Sequence, residues 1–158
     1  MTLEALFAGR SIDIDKVMDR LQQVAAEEGL PLGVRKYTYN SRLAQELSKW
    51  AEYQGKGRKF HQTIFEAYFA EGKNIGHQDI LVEAAQSVGL SGPDAREVLE
   101  KRSFKEAVDM DWIMAKSMGI TAVPTFVIDK KGIVGAQSYE TLEKFLQDND
   151  VPRRLPND

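Results

Sequence analysis

Apolar residues recur at helical spacing along most of the chain. From Ile14 they fall at Val17, Met18, Leu21, Val24 and Ala25. This stripe predicts an amphipathic helix, stopped by Gly29 and Pro31. The stretch "GVRKYTY" breaks the period and suits a short extended piece. Leu43, Ala44, Leu47, Trp50 and Ala51 then form a second stripe, with Asn40 or Ser41 placed to cap it. After the breaker "QGKG", a third pattern runs through Phe60, Ile64, Phe65 and Tyr68, and "EGKNIGHQD" ends it. Ile80, Leu81, Ala84, Ala85 and Val88 share a further face, closed by Gly89 in left-handed conformation. Pro93 suits the first turn of the helix that follows. Ser103 is positioned to cap a helix reaching Met118, with Gly119 just past its end. The pattern therefore predicts five or six helices in succession, with no strong strand between them.

After Gly119 the period changes. "PTFVID" is a continuous run of β-formers, "DKKG" reads as a turn with glycine at the position that tolerates positive φ, and "IVGA" reads as a second strand. These two make a hairpin. "SYETLEKFLQDND" returns to helical spacing at Leu142, Phe145 and Leu146, with Ser138 as cap. The fold class expected is α/β, a long helical region followed by a β-hairpin and a closing helix. Residues 1–118 form the helical region, 119–150 the hairpin and last helix, and 151–158 a loose tail with two prolines, all within one compact unit.

Composition narrows the chemistry. The chain has 158 residues with 42% hydrophobic and 28% charged side chains, enough for one core. Its net charge of −3 gives no basic footprint, so no nucleic-acid partner is expected. There is no apolar run of membrane-spanning length, and "MTLEALFAGRSID" carries acid where a signal peptide needs a basic segment. A cytoplasmic protein without a membrane partner is expected. Most consequential is the cysteine count, which is zero. It excludes disulfides, thiolate metal sites and a cysteine nucleophile within this chain. His61 and His77 lack a second ligand at metal spacing, so solvated side chains are expected and no metal or cofactor is assigned.

Five blocks occur in a fixed order: "NSRLAQELSKWAEYQGKG", "IFEAYFAEGKNIGHQDIL", "SVGLSGPDAREVL", "MGITAVPTFVID" and "GAQSYETLEKFL". Together they resemble the DsbA family of thioredoxin-fold proteins, in particular its FrnE-like branch, over roughly Asn40 to Leu146. The resemblance implies a thioredoxin-like fold with a helical insertion and a thiol-disulfide oxidoreductase ancestry. In that family a strand, a Cys-x-x-Cys helix and a second strand come first; the helix N-terminus stabilises the reactive thiolate. The resemblance places the opening of this sequence inside the insertion, without that segment. Disulfide exchange by this chain alone is therefore not expected.

The same resemblance implies a cis Val123–Pro124 bond beside an extended peptide or glutathione, making Val123, Pro124 and Thr125 a candidate binding edge. Judged by itself, a proline at a strand start is also an ordinary trans residue, since about 5–6% of such bonds are cis. Asn40 and Ser41 fall where glutathione-dependent isomerases of the 2-hydroxychromene-2-carboxylate type carry an Asn-Ser or Asn-Thr pair near the ligand. A helix cap explains both residues equally well. Phe60, Phe65, Tyr68 and Phe69 line either a groove or the core, and their spacing favours core. Gly135 and Gln137 match the family pattern after the hairpin. Three readings stand: a cysteine-free oxidoreductase relative, a non-catalytic binding or homodimeric assembly module, and a glutathione-dependent isomerase. In the second, the open edge of "TFVID" is filled either by the local "GVRKYTY" or by a second copy of the chain.

Overall fold

The structure, a computed structural model, describes residues 1–9, 11–34 and 36–153. Its elements in order are α1 (Leu3–Leu6), α2 (Ile14–Glu27), α3 (Arg42–Tyr53), α4 (Gly57–Phe65), a π-helical turn (Glu66–Ala70), α5 (Gln78–Ser87), α6 (Gly92–Lys101), α7 (Lys105–Ser117), β1 (Thr125–Ile128), β2 (Lys131–Val134) and α8 (Tyr139–Gln147). The α/β class is as expected: mostly helical, with one small antiparallel sheet. Among the described residues, seven α-helices, α1 to α7, and the π-helical turn precede the hairpin. The chain divides into two compact units, Met1–Asp109 and Met110–Asp158, each described by itself below. The division falls within α7, ahead of the change from helical to extended pattern at Gly119.

In the first unit, α3 packs on α4, α5 and α6. Phe60, Leu47 and Leu81 are fully buried among them, and Ala51, Ala85 and Ala95, equally buried, allow the helices to approach closely. Helix ends follow local chemistry. Asp13 caps α2 by accepting from the Lys16 amide, and Ser91 caps α6 by accepting from that of Asp94, with Pro93 in the first turn. Gly89, at φ 82°, closes α5 while the Leu90 amide reaches back to the Ala85 carbonyl at 2.9 Å. No residue of α2 is buried, and Val17, Leu21 and Val24 keep their apolar side chains partly in solvent.

The extended stretch near Tyr37 pairs with the N-terminus. Thr2 and Tyr37 form an antiparallel bridge, and the Leu3 amide donates to the Lys36 carbonyl at 3.1 Å. The stretch, one of two occupants offered for the open edge of "TFVID", pairs here with the N-terminus within the first unit. The reason is local: Met1 to Leu3 present free backbone groups close to it in the same unit, and pairing satisfies both sides.

In the second unit, β1 and β2 pair with Thr125 opposite Val134 and Ile128 opposite Lys131. The turn is Asp129-Lys130, and its positive φ, 52°, belongs to Asp129. Gly132 was expected to take that role; instead it pairs opposite Val127 inside β2. Aspartate tolerates the left-handed region, and the two-residue turn keeps the ladder in register. Ser138 caps α8 by accepting from the Thr141 amide, as its position implies. The expectation of a loose tail falls on residues that lie largely outside those described. No helix among the described residues is long and apolar enough to cross a membrane.

Candidate functional site

Val123, Pro124 and Thr125 form the entrance to β1. Gly119, at φ 73°, ends α7, and the Ile120 amide donates to the Ala115 carbonyl at 3.0 Å. The chain then turns into the strand through a Thr125 hydroxyl bond to the Ala122 carbonyl at 2.6 Å. The Val123–Pro124 peptide bond is cis. The Pro124 carbonyl accepts from the Gly135 amide at 2.8 Å, so Pro124 faces β2. Gly135 holds φ 93°, a conformation that suits glycine at this tight exit.

That bond sets the orientation of the whole strand. In an antiparallel pair, residues alternate between turning their N–H and C=O groups toward the partner and away from it. Pro124, Phe126 and Ile128 therefore face β2, and Thr125 and Val127 direct their backbone groups to the open side. Val123 is 88% exposed and has no backbone hydrogen bond among the described residues. Among the described residues the sheet has two strands, and no further strand pairs with this edge.

Asn40 and Ser41 belong to the first unit and have separate tasks. The Asn40 side chain accepts from the Arg42 amide at 2.8 Å, which starts α3. Ser41 makes no side-chain cap bond; its hydroxyl accepts from the Gln45 side-chain amide at 2.9 Å. The cap reading thus holds for Asn40 and is corrected for Ser41. With its backbone at the cap position in ψ 3° rather than extended geometry, the Ser41 side chain is turned from the first-turn amides.

Ser41 instead lines a cleft of about 480 Å³ together with Tyr39, Gln45, His61, Phe65, Tyr68 and Phe69. Phe60 is core, as its spacing implies, but Phe65 is 58% exposed and Phe69 37% exposed. The core expectation for these two is corrected. Phe65, five residues after Phe60, falls on the far side of α4 from it, and the wider winding of the π-helical turn shifts Tyr68 and Phe69 out of the α4 register. Tyr68 and Phe69 meet edge to face with ring centroids 4.8 Å apart. His61 lies 3.7 Å from Glu52, and His77 precedes α5. Among the described residues no group of three or more metal-ligating side chains gathers. Of these features, the exposed aromatic wall and Gln45 were not legible from spacing. The sequence signal nearest to them is the Phe65/Phe69 pair at i, i+4.

Gly33 fixes the far side of the π-helical turn. Its amide donates to the Phe69 carbonyl at 2.8 Å, and a methyl group there would overlap the Ala70 carbonyl oxygen. Gly33→Ala is expected to destabilise the first unit by about 1–3 kcal/mol. A urea titration followed by Trp50 fluorescence checks this, since Trp50 is buried in that unit.

Beneath the start of α3, Glu46 is 1% exposed and receives both Arg42 and Arg102. Hydrogen bonds from Arg102, then from Arg42, hold its carboxyl below the usual range against the opposing effect of burial. Arg102 itself closes α6 at φ 53°.

Comparison with known proteins places these features in a family. The model of the DSBA-like thioredoxin domain matches residues 7–147. The chain belongs to the DSBA-like thioredoxin-domain family. Within it, the chain is 36% identical over 107 residues to the Bacillus subtilis protein YwbO, covering 67% of this chain and 54% of that one. It is 31% identical over 119 residues to the ClpXP adapter protein SpxH of Halalkalibacterium halodurans, covering 68% of this chain and 39% of that one. The chain thus spans about half or less of the curated relatives it matches. A crystal structure of a probable DsbA oxidoreductase from Streptomyces coelicolor superposes with a TM-score of 0.83 at 26% identity, over 99% of this chain and 70% of that one. A 2-hydroxychromene-2-carboxylate isomerase shares the fold, with a TM-score of 0.73 at 20% identity, over 89% of this chain and 71% of that one. The DSBA-like fold is therefore present here in a chain with no cysteine.

Proposed function

We propose that this chain is a FrnE-like member of the DSBA-like family that holds an extended polypeptide at the β1 edge and performs no disulfide exchange by itself. The observation that carries the reading is the outward orientation of Thr125 and Val127, continued by the exposed Val123. An edge of this kind binds an added strand through alternating main-chain hydrogen bonds. Exchange requires a thiolate to attack a sulfur, and the chain offers none.

Two measurements test this. Pure protein is expected to leave insulin-disulfide reduction by dithiothreitol at the buffer rate, and turnover above buffer refutes the non-redox part. For the edge, a fluorescein-labelled extended peptide of alternating valine and threonine is expected to bind with saturable anisotropy. Val127→Pro removes an outward N–H and spares the β1–β2 ladder, so it is expected to weaken that binding by roughly tenfold. Equal binding by the variant sinks the proposal.

The open edge also supports a second occupant, another copy of this chain. Light scattering at micromolar concentration distinguishes the two, because a monomer removes the homodimeric reading. Glutathione titration addresses the isomerase reading: a binding heat that Ser41→Ala abolishes favours it, and no heat disposes of it.

A further inference from the structure

The Ser41 cleft has walls of two kinds. Tyr39, Phe65, Tyr68 and Phe69 supply rings, with Phe65 and Phe69 6.2 Å apart and Tyr39 and Tyr68 6.3 Å apart. Phe65 and Phe69 remain well exposed, so a flat apolar body placed against them removes ring surface from water. The volume of about 480 Å³ is within the range of small-molecule sites. Ser41 supplies the polar end. Its oxygen already accepts from Gln45, so the proton it carries is left to donate, and no acceptor for it is present among the described residues.

Charge then selects among flat ligands. Among the described residues, the cleft lining contains no lysine, arginine, aspartate or glutamate, and His61 is the basic side chain there. A charged ligand entering it would lose hydration with no counter-ion gained. We infer that this cleft is a binding site for a small, neutral, planar ligand that bears one hydrogen-bond acceptor, held by ring contact with Phe65 and Phe69 and by the Ser41 hydroxyl. None of these residues belongs to the β1 edge. The failure of either reading leaves the other standing.

The test uses the whole chain, labelled with nitrogen-15, and two probes of one shape that differ in charge: benzamide and benzoate. Benzamide is expected to give saturable amide shifts at Ser41, Gln45, His61, Phe65 and Phe69. Benzoate is expected to bind at least about fivefold more weakly, reflecting the cost of an unpaired charge. Phe65→Ala is expected to weaken benzamide by roughly tenfold through lost ring contact. Because Phe65 is exposed, the variant keeps its fold, which Trp50 fluorescence verifies. Ser41→Ala is expected to weaken benzamide about threefold, through loss of the hydroxyl donor. Benzoate binding as tightly as benzamide overturns the assignment, as do shifts that are scattered over the surface or insensitive to both substitutions.

Discussion

Replacing Phe60 by alanine is expected to lower the unfolding free energy of the first unit by about 4 kcal/mol, in the upper part of the range for buried aromatic truncation. Phe60 has no exposed surface and sits in a cluster with Leu47, Leu81 and Leu99. The size of the effect depends on whether neighbours close the void. Ala51, Ala85 and Ala95 are already at 0% exposure, with no flexible side chains to move in, so the void persists. Phe60→Leu keeps most of the volume and is expected to cost about 1–2 kcal/mol. Urea titrations of both variants, read by Trp50 fluorescence, check the pair; equal midpoints would mean that the site collapses freely. α4 also carries His61 and Phe65, so Phe60→Ala is expected to weaken benzamide binding in the cleft without touching the ligand.

The helical region and the hairpin were legible because their causes are local. Val17, Leu21 and Val24 share one face by spacing alone, and Gly89, Gly119 and Ser138 mark ends through conformations or hydroxyl bonds available to few residues. Spacing says which face is apolar, but not what covers it. Phe65 and Phe69 share a face with each other at i, i+4, but they lie roughly 140° and 180° round a helix from Phe60, and in the structure they stay exposed. The exchange of cap roles between Asn40 and Ser41 depends on one backbone torsion, since either side chain is chemically able to cap. "DKKG" was ambiguous in a similar way. The register of Ile128 against Lys131 decides that Asp129 takes the left-handed position, and register is a property of the pair of strands. Glu46 was hidden altogether. A glutamate on a helix reads as solvated, and only Arg42 lies nearby in sequence; Arg102 arrives from the end of α6.

Glu46→Ala is the second large effect, expected to cost about 2 kcal/mol because it removes the buried carboxylate that accepts from both guanidinium groups, while Arg42 keeps Asp109 and Arg102 keeps its contact with solvent. The carboxylate accepts from Arg102 Nε and Nη2, both at 2.6 Å, and from Arg42 Nε at 2.7 Å. Arg42 also donates to the Lys105 carbonyl at 2.8 Å and pairs with Asp109, so the cluster ties α3 to the end of α6 and the start of α7. Its pH dependence has a definite sign. The folded-state pKa of Glu46 is lowered, first by Arg102 and then by Arg42, below the unfolded value of about 4.3. Its contribution is therefore complete above that value and is lost as pH falls through the lower, folded one. Glu46→Gln keeps the shape and cannot titrate. Its stability curve is expected to lie below that of the unmodified chain at neutral pH and to approach it as pH falls below about 4. Some acid slope remains in the variant, because Lys105 and Arg42 hold the Asp109 carboxyl low as well. Two parallel curves across the acid range would show that Glu46 is not the ionised partner of the two arginines.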